Sequence, residues 1–272
     1  MRFYANIDEK PCTLMFEIQT AFPSKMYIKV SDAEKPNTIF TNRHCKVYEQ
    51  EGIFVRMPIA PKRAMIDVIS EAELNGVQDQ KNYKIVDAKV LPLKRKLTSF
   101  NHANPTIQKF VKFAEQFSAK AGYISAKGSI YTSDDGKFRI DYLDDIVDDA
   151  GNSLKTPARI SRSEGIIEVS KVKFQKYTIP MRMAILLHEF SHFYLNTDMG
   201  NETEADLNGL LIYLGLGYPR IDAYNVFTQV FSTSANEMNV NRMKIIDDFI
   251  RNFEEKYIDM QYTYDGLYKN YI

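Results

Sequence analysis

Residues 185–193 read Ile-Leu-Leu-His-Glu-Phe-Ser-His-Phe, which places two imidazoles and a carboxylate inside an otherwise apolar stretch. Any fold that buries this stretch must satisfy those groups, because polar side chains taken out of water without partners are costly. On a helix, residues i and i+4 share one face, so His188 and His192 can reach a single cation with Glu189 beside them. This is the H-E-x-x-H spacing of a metal-binding helix, and a divalent cation would settle both imidazoles directly. The bland alternative is a core helix that merely contains two histidines, and it leaves their burial unexplained.

The surrounding pattern supports a helix there. Thr178 can cap it and Pro180 is tolerated in its first turn, so the expected span is 178–196. Residues 197–201, Thr-Asp-Met-Gly-Asn, break it, a second helix is expected to about Leu214, and residues 215–219 form another break. Two further helices are expected over 220–231 and 236–256, the latter from Met238, Met243, Ile245, Ile246, Phe249 and Ile250. Upstream, residues 165–170 read as a strand. Residues 129–132 and 137–140 read as a hairpin around Asp135-Gly136. Before them, residues 101–105 open a helix with Ile107, Phe110, Val111, Ala114 and Phe117 at helical spacing.

Residues 1–96 are different in character. Short alternating or β-branched runs, such as Leu14-Met15-Phe16-Glu17-Ile18 and Met26-Tyr27-Ile28-Lys29-Val30, predict a small β-rich module. The expected organisation is therefore an N-terminal β-rich module over 1–96 and an α+β body over 97–272.

Charge narrows the partners. Lys plus Arg and Asp plus Glu number 35 each, so no global field attracts nucleic acid or an anionic membrane. The short basic run Lys94-Arg95-Lys96 reads as a solvated linker. Two cysteines, Cys12 and Cys45, are too few for a disulfide framework, and His44-Cys45 lacks partners for a second metal site. The start of the chain lacks a secretory apolar stretch and no apolar run reaches 18 residues, so the expectation is a cytoplasmic protein, or a virion component if phage-encoded.

A catalytic zinc site usually takes three protein ligands, and the acids of Glu202-Thr203-Glu204-Ala205-Asp206 are the candidates for the third. Here the chain resembles the gluzincin group of zinc metallopeptidases, in which H-E-x-x-H is followed by E-x-x-A-D on the next helix. That resemblance spans about residues 105–215, with its specific motifs between 188 and 206. It implies a zincin-like fold, zinc held by His188, His192 and Glu202, and Glu189 as general base for peptide-bond hydrolysis. It further implies that Asp206 orients a ligand histidine, with Asp206 itself the competing choice for third ligand. Glu204 is read as a solvated acid at a helix N-terminus. The resemblance also puts residues 165–170 in the place of the edge strand that pairs with an extended peptide or protein substrate.

The competing expectation is a structural or assembly protein, such as a phage virion component, that keeps a zincin-like body. It rests on the β module, which carries no chemical signature, and on an Asn-, Lys- and Tyr-rich style resembling low-GC bacteria and their phages. The N-terminal module or the tail tyrosines 257, 262, 264, 268 and 271 could then dock a partner. No oxyanion-stabilising residue can be chosen from sequence; His102 is a weak candidate. The acidic residues 141–149 do not fit calcium-loop spacing and read as a solvated loop.

Overall fold

The computed structural model describes residues 1–77, 82–93, 104–121, 129–231 and 237–256. The chain divides into two compact units, Met1–Lys94 and Arg95–Ile272, in a mixed α+β architecture. Among the described residues, no helix is long and apolar enough to cross a membrane. The run at 94–96, His102 and the tail tyrosines lie outside the described residues.

The first unit contains β1 (Arg2–Asn6), β2 (Cys12–Thr20), β3 (Ser24–Asp32), β4 (Ile39–Val47), β5 (Gln50–Met57), β6 (Arg63–Ser70), the single-turn α1 (Glu71–Leu74) and β7 (Tyr83–Pro92). They form one sheet in the order β1-β6-β3-β4 and another in the order β5-β2-β7, all pairs antiparallel. Side chains alternate across a strand with period two, so Leu14, Phe16 and Ile18 of β2 and Met26, Ile28 and Val30 of β3 all turn inward. Phe3 of β1 meets Phe16 of β2 edge-on at 5.6 Å, which joins the two sheets as a β-sandwich. Cys12 and Cys45 are both free thiols.

The second unit is built on α2 (Pro105–Lys120), β8 (Ser129–Thr132), β9 (Arg139–Leu143), β10 (Ala158–Ile160), β11 (Ile167–Ser170), α3 (Lys171–Phe174), α4 (Ile179–Tyr194), α5 (Glu202–Gly215), α6 (Arg220–Val226) and α7 (Glu237–Lys256). Its sheet runs β10-β11-β9-β8, with β11 parallel to β9 and the other pairs antiparallel. The expected edge strand at 165–170 is therefore corrected: β11 is paired on both sides, and among the described residues the outer strands are β10 and β8. The expected third helix also changes character, becoming a π turn over Phe227–Phe231. The acidic stretch at 141–149 is only partly a loop, since it begins inside β9.

Every residue of α4 from Ile179 to His192 is buried, as expected for a helix apolar on all sides. Phe190 stacks on Phe110 of α2 at 4.1 Å and meets Phe138 edge-on, pinning the motif helix between α2 and the sheet. At its start, the fully buried Arg182 guanidinium donates to the carbonyls of Ser118 (2.9 Å), Gln175 (3.0 Å) and Phe174 (3.3 Å). These lie at the carbonyl ends of α2 and α3, where the helix dipole favours a cation. Burial lowers Arg182 to about 10.

Candidate metal centre

Thr178 accepts from the Met181 amide and caps α4, and the turn after Tyr194 reverses the chain so that α5 returns along α4. Gly209 permits the close approach. A Cβ there would lie 3.1–3.3 Å from the backbone of Leu187 and His188, tighter than ordinary side-chain contacts allow. The first turn of α5 is thereby brought to the imidazoles of α4.

His188 and His192 face each other with Nε2 atoms 3.1 Å apart, and Glu202 lies 3.5 Å from the first and 3.6 Å from the second. Among the described residues these three form a group able to hold a metal ion, with ligand atoms all within 4.8 Å of one another. The donor set, two imidazole nitrogens and a carboxylate, suits a divalent metal.

The outer nitrogens show how the rings are aimed. The Met199 carbonyl can only accept, so His192 Nδ1, 2.9 Å away, carries the proton and Nε2 presents its lone pair to the cluster. His188 Nδ1 lies 2.9 Å from Asp206 Oδ1, a charge contact not aligned as a hydrogen bond, and neither atom has another hydrogen-bond partner. Asp206 is fully buried. Its other oxygen accepts from Arg242 Nε at 2.9 Å and Nη2 at 2.6 Å, and Arg242 also reaches Glu202 at 3.5 Å. Phe231, at the end of the π turn, stacks on the His188 ring at 4.2 Å.

The electrostatics are those of a site with surplus negative charge. Burial alone would lower His188, but Asp206 and Glu202 outweigh it and hold the imidazole up to about 10. Glu202 is drawn down to about 2, chiefly by its hydrogen bond with His188. His192 is lowered by burial and by the neighbouring His188. A cation at this cluster would take over the role that the extra proton on His188 plays.

Glu189 is buried beside the cluster, and burial raises its carboxyl to about 7 against the opposing pull of His188. The helix that carries Glu189 packs against β10, and the nearby Ile160 backbone opposes that rise. Ser161 donates to Ile166 across the sheet at 2.8 Å, so by strand alternation the Ile160 amide points off the outer edge of β10.

The structure therefore gathers His188, His192, Glu202, Glu189 and Asp206 in one place, with Asp206 behind His188 and Glu202 on the open side. Glu204 is a correction to the sequence reading. It is 4% exposed, not solvated, and its carboxylate accepts from the amides of Thr197 (2.7 Å) and Asp198 (3.3 Å). Arg242, Phe231 and the backbone groups of Met199 and Ile160 were not found from sequence. No local spacing ties them to the motif; Arg242 lies 36 residues from Asp206.

No protein-family profile matches this chain, and neither the curated proteins nor the solved structures contain a significant match to it.

Proposed function

We propose that the chain is a zinc-dependent metallopeptidase of the gluzincin type, hydrolysing peptide bonds in a peptide or protein substrate. The observation that carries this reading is the convergence of His188, His192 and Glu202 with a buried Glu189 on a helix that packs against the outer strand β10. His188, His192 and Glu202 would hold the ion, and Asp206 would steady His188 from behind. Zinc held there would supply Lewis acidity, polarising a scissile carbonyl and making a water molecule easier to deprotonate.

The chain's own groups account for the rest. An extended peptide added to the outer edge of β10 would lie against the cluster, aligned by main-chain hydrogen bonds. Glu189 then takes the proton of the attacking water and passes it to the leaving amine, a task suited to a carboxyl raised toward neutrality by burial. Phe231 walls one side of His188 and excludes solvent there.

The test compares wild type, Glu189→Gln and His188→Ala/His192→Ala for zinc content by elemental analysis and for cleavage of a peptide library. We expect about one zinc in wild type and Glu189→Gln and none in the double variant. Cleavage is expected in wild type only, with Glu189→Gln slowed at least about 100-fold. Undiminished cleavage by Glu189→Gln would overturn the mechanism. A zinc-loaded wild type that cuts nothing would instead favour a structural or assembly role.

A further inference from the structure

Glu204 is a buried acid that the proposed chemistry does not use, and its surroundings show what it is for. Its carboxylate accepts from two consecutive amides, Thr197 and Asp198, in the turn between α4 and α5. The same turn is gripped from the other side by Asn196. Its Nδ2 donates to the carbonyls of Asn201 (2.9 Å) and Asp198 (3.3 Å), while its Oδ1 accepts from the fully buried Asn208 at 3.0 Å. Asn201 closes the turn by accepting from the Glu204 amide at 3.0 Å.

Between these grips sits Met199, whose carbonyl receives the His192 Nδ1 proton at 2.9 Å. The carbonyl belongs to an otherwise exposed segment, since residues 197–200 are all solvent-exposed. An exposed turn has no packing of its own to hold a backbone oxygen in register with a buried ring. The buried carboxylate and the paired asparagines supply that register.

We propose that Glu204, assisted by Asn196 and Asn208, is a positioning residue that sets the tautomer and orientation of His192 by clamping the turn that carries the Met199 carbonyl. This rests on the zinc reading above for its consequence, but not for its geometry. Groups that hold a ligand histidine from behind typically change metal affinity by about 10- to 100-fold when removed. Glu204→Gln retains the shape and loses one of the two acceptors, because its amide nitrogen would meet a backbone N–H.

Two readouts test the assignment: zinc affinity by chelator competition, and the 15N shifts of the His192 ring nitrogens in zinc-free protein. We expect Glu204→Gln to lower zinc affinity at least about 10-fold and to convert His192 from a single Nδ1–H tautomer to a mixture. Asn196→Ala, which loosens the turn from its other side, should do the same and serves if Glu204→Gln does not fold. Tyr142→Phe, which deletes a buried 2.6 Å bond to the Ala121 carbonyl away from the turn, should lower stability without moving either readout. A fixed Nδ1–H tautomer in the foldable turn variant would overturn the proposal, and so would equal zinc loss in Tyr142→Phe. If wild type binds no zinc, the zinc reading fails, while the tautomer measurement still decides the role of Glu204.

Discussion

Replacing Asp206 by asparagine should destabilise the second unit by stranding a charge rather than by losing a contact. Asp206 has no exposed side-chain surface, Arg242 has 9%, and two short hydrogen bonds join them. Asp206→Asn keeps the volume and one acceptor but removes the negative charge, so among the described residues Arg242 is left with Glu202, 3.5 Å away and half exposed. Removing one partner of a buried ion pair costs about 3–5 kcal/mol, and the residual Glu202 contact argues for about 3. Arg242→Met should cost less, about 2 kcal/mol, because Asp206 keeps His188 close by. If the stranded cation is the main penalty, the double variant should lose only about 2–3 kcal/mol, well short of the sum. Urea unfolding of zinc-free protein, followed by far-UV circular dichroism, reads mainly the second unit, which contains all but one short described helix. A loss below about 1 kcal/mol for Asp206→Asn, or strict additivity in the cycle, would refute the reasoning.

Gly209→Ala is a contest of signs: alanine favours a helix by about 1 kcal/mol over glycine, but its Cβ would press on the Leu187 and His188 backbone. We expect a net loss of about 1–2 kcal/mol and weaker zinc binding, whereas a stabilised variant would mean that the helices have room to move. Arg182→Met should cost about 3 kcal/mol in thermal or urea unfolding, since two buried carbonyls and a partly buried one lose their donor. Asp145 is held below the usual carboxylate range by Lys173 first, then by the Ser153 and Ser170 hydroxyls. A depressed native value gives stability that is full above the unfolded value, about 3.9, and is lost as pH falls below it. Asp145→Asn should therefore lower stability at pH 7 and flatten the acid limb, and an unchanged profile would contradict the assignment.

What could be read in advance was local. The alternation in Leu14-Met15-Phe16-Glu17-Ile18 matches a strand with one face in the core, and the register bears it out. Ile107, Phe110, Val111, Ala114 and Phe117 line the buried face of α2, because helical periodicity needs no knowledge of the partner. Failures came where two solutions are locally equivalent. A short β-branched run looks the same as an edge strand or an inner one, so nothing local opposes the resemblance, which implies an edge position for residues 165–170 that β10 occupies instead. An acid at a helix N-terminus suits the dipole whether solvated or buried, so Glu204 was read as exposed.

The sequence by itself determined the pairing of His188 with His192, since a spacing of four residues on a helix fixes which side chains share a face whatever surrounds it. It also determined that this helix would be buried, and that acids would follow on the next one. Only the tertiary structure decided which acid faces which nitrogen. It set Glu202 toward both Nε2 atoms, Asp206 behind His188, and the Met199 carbonyl behind His192. Those relations depend on the turn at 197–201, on the space left by Gly209, and on an arginine from a helix far along the chain. Contacts between distant segments are set by packing and chain reversal, which no local period encodes.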